Sequence, residues 1–413
     1  MNMNKRWKKF LLFVSSVGPG LFLVGYNIGT GSVTSMASAG AEYGMTLSWA
    51  VLVSCLFTYF LIITFGRYTI VTGKTALQSF KDNFGKPMAL VVLWALILSE
   101  IVSSIGVMAV VSDVIREWSR PLTASGEGFN TIIVTIVLAA IIVTLLFNGR
   151  YSIIEKILAL FVGLMGLSFV LSSFMVIEDP VTVIEGIIPK IPGGTNAGLI
   201  VAGMIGTTMG GILYVVRSST VKEKGWQLSD LKNEKKDAKV SASLMFILSI
   251  AIMAAAAGTM YVEGLKVENV IDMVKLLEPL AGRFAVSIFV TGIVAAGVSS
   301  LFPHYMLVPL LVSDYKNEKV DFSKAFNRGI VLFYASLGLF VPIFGGRPVF
   351  VMIMSQALGL FVTPIVLILM WIQVNKKDQM GEYKATTFSN VMFALVTAFT
   401  IGMTLVGIIG LSS

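Results

Sequence analysis

Apolar residues run through this chain in long blocks, without the two-residue alternation of a half-buried strand or the one-sided stripe of a soluble helix. Eleven blocks stand out, near 11–38, 46–66, 88–112, 130–147, 157–177, 198–216, 241–262, 284–312, 329–344, 349–371 and 387–411. About 20 apolar residues in helical form cross the hydrocarbon of a bilayer, so each block predicts one membrane span. Two blocks are interrupted. Gly25-Tyr26-Asn27-Ile28-Gly29-Thr30-Gly31-Ser32 lies in the middle of the first, which runs from about Phe10 to Ala39. Ile205-Gly206-Thr207-Thr208-Met209-Gly210-Gly211 echoes it in the sixth. Glycine costs a helix about 1 kcal/mol relative to alanine, so both stretches predict a helix that unwinds near the bilayer midplane. Unpaired backbone groups are costly in hydrocarbon, and broken backbone is tolerated there only where it is covered by protein or lines a polar cavity. A pair of such breaks in matching positions therefore points to a binding site.

The breaks fall in the first span of each of two five-span halves. Five is odd, so the second half enters the bilayer from the opposite side. That is the pattern expected of the five-plus-five inverted repeat of the LeuT class of carriers. The expected architecture is an all-α membrane protein with about eleven transmembrane helices, the first and sixth broken. One transporter domain is expected over 1–413, with a first repeat at about 10–177, a second at about 198–371 and an extra helix at about 387–411.

Composition agrees. The chain is 56% hydrophobic and 13% charged, with a mean hydropathy of +0.86, against about 25% charged residues in a soluble domain. The net charge of +8 invites a nucleic-acid reading, but the placement of basic residues removes it. With the N-terminus inside, 24 of the 31 Lys and Arg fall in inward-facing segments, as the positive-inside rule requires. A multi-pass protein of the cell membrane is expected, N-terminus inside and C-terminus outside, with the lipid bilayer as its surroundings and no nucleic-acid partner. Lys5 to Lys9 followed by an apolar run imitates a signal peptide, but that run is too long for one and carries the first break. The single cysteine, Cys55, excludes a disulfide framework. One cysteine and one histidine supply no catalytic constellation, so no enzyme is expected.

Glu100 is the one acidic residue placed deep inside a span, and an intramembrane carboxylate is a functional candidate by default. Packing against Ser103 and Ser104 is the structural alternative. His304, the sole histidine, follows Pro303 and is either a proton-relay group or a backbone-bonded neighbour of a kink. Arg67 and Arg217 end spans two and six and read as snorkelling anchors. The mixed charges of 221–239 read as a solvated connector.

The chain also resembles the Nramp family of metal-ion transporters over nearly its whole length. Gly18-Pro19-Gly20 with the break, and Ala39-Gly40-Ala41-Glu42-Tyr43-Gly44, resemble the family's first span and its exit. Asn148-Gly149-Arg150 through Glu155-Lys156, with Leu167-Ser168-Phe169, is similar to spans four and five. Ala295-Ala296-Gly297-Val298-Ser299-Ser300 resembles span eight, and Ser355-Gln356 and Met380-Gly381-Glu382-Tyr383 resemble the start of span ten and the loop after it. The resemblance implies a divalent-metal carrier working by alternating access, but the metal-binding side chains depart from the family pattern. Where the family reads Asp-Pro-Gly-Asn, this chain has Gly29-Thr30-Gly31-Ser32. Where it reads Gly-Ala-Thr-Val-Met-Pro-His, this chain has Gly206-Thr207-Thr208-Met209-Gly210-Gly211-Ile212. The Asp and Glu pair of span three becomes Ile97 and Glu100, and Gln356 alone is kept among the side-chain ligands.

A bare transition metal among hydroxyls and amides is poorly compensated. A hydrated, magnesium-like dication is the leading expectation, with Glu100 and Gln356 as its metal-facing residues. The substrate site is expected at Asn27, Gly29, Thr30, Ser32, Thr207, Thr208, Gly210 and Gln356. A small polar organic solute such as an amino acid suits the same hydroxyls and helix ends, and a non-transporting, sensor-like relative is the third reading. No resident cofactor is expected. Ala296-x-x-Ser299-Ser300 resembles the sodium-site pattern of LeuT-class carriers, with carbonyls near Gly25 and Ile28 as partners; the alternative is a small-residue packing face. Na+ or H+ is therefore the expected coupling ion, through Glu100, Ser299, Ser300 and His304.

Overall fold

The computed structural model describes residues 18–148, 151–176, 184–193, 197–267 and 270–412. The basic cluster Lys5 to Lys9, Gly149-Arg150 of the inner loop and the outer residues Glu178, Pro180 and Gly194 to Asn196 lie outside the described residues. Among the described residues ten helices are long and apolar enough to cross a membrane, and the first span precedes them in two pieces.

Those two pieces are α1 (Gly18–Asn27) and α2 (Thr30–Tyr43). Then follow α3 (Ser48–Thr72), α4 (Ala76–Ser119), α5 (Thr131–Asn148) and α6 (Tyr151–Val176). The sixth span is again divided, into α7 (Ala197–Met209) and α8 (Gly211–Lys224). The rest is α9 (Leu231–Ala256), α10 (Val270–Lys316), α11 (Ala325–Leu337), α12 (Pro348–Phe361), α13 (Thr363–Val374) and α14 (Thr387–Ser412). The two long helices are bent by glycines. Gly85 in α4 has φ 87° and is followed by Pro87, and Gly282 in α10 has φ 73°. These are backbone angles that only glycine adopts without cost.

With hydrocarbon outside, apolar burial does not drive helices together, and close backbone approach at small residues does. A methyl group on Gly40 of α2 would stand on the Met253 carbonyl of α9, and one on Gly206 of α7 would stand on the Gln356 carbonyl of α12. The broken helices are the most enclosed elements: α2 is buried from Thr30 to Ala41, and α8 from Gly211 to Val221.

Two expectations are corrected here. Arg217 does not snorkel. Its side chain is fully buried, bonded to Asp237 and 3.2 Å from Glu234. The connector is solvated only in part, because α9 already begins at Leu231. Helical spacing turns Glu234 and Asp237, three residues apart, inward and leaves Lys232, Lys235, Lys236 and Lys239 exposed. The Asp237 carboxylate accepts the Gly20 N–H of α1 at 3.0 Å.

Candidate functional site

The first break occupies Ile28 and Gly29, with Gly29 at φ −99°, ψ −162°. The second is Gly210, at φ −56°, ψ 133°. The two interruptions face each other, and side chains satisfy the backbone that they free. Asn27 Nδ2 donates to the Thr207 carbonyl at 2.7 Å, and Ser32 Oγ donates to the Asn27 carbonyl at 2.8 Å. Ser32 Oγ and Thr207 Oγ1 lie 2.9 Å apart. Thr58 Oγ1 donates to the Thr208 carbonyl at 2.9 Å, and the Gly211 N–H donates to Thr363 Oγ1 at 2.8 Å. The Thr208 hydroxyl turns back to the Met204 carbonyl of its own helix, so Thr208 brings its carbonyl to the break.

The glycines of the breaks admit neighbouring side chains to the backbone. A methyl on Gly31 would strike the Gln356 amide, and one on Gly29 would strike the Ser300 side chain. Gln356 is thus packed against the first turn of α2, just after the break, and Thr30 lies beside Gly297 of α10. Ser300 Oγ is 3.4 Å from the Tyr26 carbonyl, while Ser299 bonds to Ala296 in its own helix. Of the span-eight hydroxyls, Ser300 is the one that reaches the broken helix, at a carbonyl between Gly25 and Ile28.

Glu100 and His304 converge on the same place from α4 and α10. Tyr26 Oη donates to Glu100 Oε1 at 2.6 Å, and His304 Nδ1 stands 3.4 Å from Glu100 Oε2. The Tyr26 and His304 rings pack edge-on with centroids 5.0 Å apart. Both Glu100 and His304 are buried. One helical turn along α4 from Glu100, Ser103 bonds Ser355, the neighbour of Gln356. His304 is therefore aimed at a carboxylate rather than at backbone. Tyr26 escaped the reading of the sequence: a phenol inside an apolar block looks like packing. The signal that identifies it is its position, in the last turn before the break and next to Asn27.

Several buried polar atoms around the break have no hydrogen-bond partner. They are Asn27 Oδ1, Thr30 Oγ1, Glu100 Oε2, Ser104 Oγ and both ring nitrogens of His304. Buried polar atoms in native proteins are almost always satisfied, by protein or by something bound. Four of these six atoms are oxygens, the ligand type of hard cations. Among the described residues, no three His, Cys, Asp or Glu side chains are grouped as a transition-metal site would group them.

The fold and sequence have relatives. A divalent metal cation transporter MntH of Yersinia pestis is 25% identical over 410 residues, covering 94% of this chain and 93% of its own. MntH of Clostridium acetobutylicum is 25% identical over 52% of this chain and 50% of its own. The crystal structure of the Eremococcus coleocola manganese transporter in complex with an aromatic bis-isothiourea substituted compound superposes with a TM-score of 0.77 at 14% identity, over 100% of this chain and 88% of that one. Mhp1, a nucleobase-cation-symport-1 family transporter in a closed conformation with bromovinylhydantoin bound, superposes with a TM-score of 0.62 at 14% identity, over 96% and 90%. Both likenesses are of fold, and they place the chain in the LeuT architecture. The profile described as natural resistance-associated macrophage protein-like matches residues 20–410, and the chain therefore belongs to the Nramp family of membrane transporters.

Proposed function

We propose that this chain is a secondary carrier of a divalent metal cation that keeps part of its water, magnesium-like rather than bare manganese or iron, and that it works by alternating access with its N-terminus inside. The family and the MntH relatives support the divalent cation. The observation that carries the finer reading is Glu100. Among the described residues Glu100 is the carboxylate that reaches the first break: Oε1 accepts from Tyr26, Oε2 has no hydrogen bond and stands 3.4 Å from His304 Nδ1, and the hydroxyl and amide oxygens of Thr30, Ser104 and Asn27 are likewise unpartnered. That donor set is hard and carries little charge. It suits an ion that brings its own water shell and needs one carboxylate, and it suits poorly an ion that wants thiolate, thioether or several imidazoles.

The side chains have distinct parts in this reading. Asn27, Ser32 and Thr207 hold the two broken helices to each other and give them a shared polar surface. Gln356 and Thr30 face that surface from either side, and the Thr208 carbonyl, Gly29 and Gly210 complete it. Glu100 supplies the charge. Its contact with His304 offers a place for a proton to move as the cation arrives or leaves, so H+ is the coupling ion and His304 the relay. Ser300, on the Tyr26 carbonyl, fixes the position of the first break.

Calorimetric titration of purified protein with Mg2+ and Mn2+ tests this. Saturable Mg2+ binding lost in Glu100→Gln is expected. Micromolar Mn2+ binding that disappears in Gln356→Ala and survives in Glu100→Gln would overturn it.

A further inference from the structure

A cavity of about 300 Å³ opens where α2 ends and α7 begins, at the face read as outer. Its walls are apolar at Ile200 and Ile353, and its polar lining is Ser38, Glu42, Lys266 and Arg347. Lys266 and Arg347 are exposed at the rim, while Glu42 is half-buried. Ser38 is buried, and its Oγ has no partner. The volume is that of a small-molecule pocket. Two cations and one carboxylate around an apolar floor make a poor resting site for a free dication and a good seat for a dipolar solute.

We propose that this vestibule is a binding site for a small zwitterion of the amino-acid class, its carboxylate on Arg347 and Lys266, its ammonium on Glu42 and one polar atom on Ser38. Arg recognises a carboxylate with two parallel N–H donors, one to each oxygen, a geometric match that a single-atom acceptor does not offer. The apolar floor leaves room for a short side chain. Ser38 lies six residues beyond Ser32 on α2, about 9 Å along the helix axis, and Ile353 is three residues before Gln356 on α12. The vestibule therefore stands above the two breaks without sharing their residues. The inference goes beyond the cation reading and does not depend on it.

Equilibrium binding of radiolabelled L-alanine and acetate to the full-length protein in nanodiscs tests the proposal. Saturable L-alanine binding is expected, weakened about tenfold or more in Arg347→Gln and in Glu42→Gln, and less in Lys266→Gln. Acetate should bind more weakly than L-alanine, lose its binding in Arg347→Gln and be unaffected by Glu42→Gln. All three substituted residues reach solvent at the rim, and an unchanged melting temperature in each variant verifies that the fold is intact. Absence of saturable L-alanine binding, binding unaltered by all three substitutions, or equal affinity for acetate would each overturn it. Glu100→Gln separates the two proposals, because it should abolish Mg2+ binding and leave L-alanine binding unchanged.

Discussion

Tyr26 donates its phenolic hydrogen to Glu100 across 2.6 Å, joining the last turn before the first helix break to a buried carboxylate of α4. The bond fixes which Glu100 oxygen is hydrogen-bonded and which faces His304. Charge-assisted hydrogen bonds contribute about 1.5–3 kcal/mol. Tyr26→Phe is therefore expected to weaken Mg2+ binding by about tenfold while leaving the fold assembled, measured by calorimetry alongside a melting curve. Binding unchanged in Tyr26→Phe would show that the phenol is packing.

The close contact of His304 with Glu100 predicts how the carrier is driven. Mg2+ uptake into proteoliposomes should be stimulated by a proton gradient and be independent of Na+. His304→Gln should keep Mg2+ binding and lose the stimulation. A sodium requirement that vanishes in Ser300→Ala would transfer the coupling to the span-eight hydroxyl.

Gly29 and Gly31 are held by what lies against them. A side chain on Gly31 meets the Gln356 amide and one on Gly29 meets Ser300. Overpacking of this kind costs about 1–3 kcal/mol. Gly31→Ala should lower both stability and transport, and Gly31→Ala combined with Gln356→Ala should regain stability and not transport. Melting temperatures and flux on the same preparations read the two effects separately.

Arg217 is buried between Glu234 and Asp237, and Asp237 also accepts the Gly20 N–H of α1. Removing one partner of a buried ion pair costs about 3–5 kcal/mol, because the other charge is stranded. Arg217→Ala should therefore melt well below the wild type, and Arg217→Ala with Asp237→Ala should recover part of the loss. An exposed anchor would show neither effect, so melting of the single and double variants decides between them.

The spans, the two breaks and Glu100 were legible because each is written locally. Apolar blocks of the right length can only cross or be buried, and a glycine run inside one can only be a break or a packing face. The breaks fell where the glycines are, at Gly29 and Gly210. What was not legible depends on rotation. Arg217, Glu234 and Asp237 sit in a run of mixed charge, and only the start of α9 at Leu231 decides that the acids turn inward and the lysines out. The glycines read as helix breakers, and nothing local records that Gln356 and Ser300 pack against Gly31 and Gly29. Which residue fills a gap is set by helices far away in sequence, and no local pattern records it.

The central claim is that a hydrated dication is carried past Glu100 between the two interrupted helices. Its most direct test is uptake of Mg2+ and Mn2+ into liposomes containing the wild type or Glu100→Gln. Saturable Mg2+ uptake that Glu100→Gln abolishes is the predicted result; Mn2+ uptake without Mg2+ uptake, or Mg2+ uptake indifferent to Glu100→Gln, would contradict it.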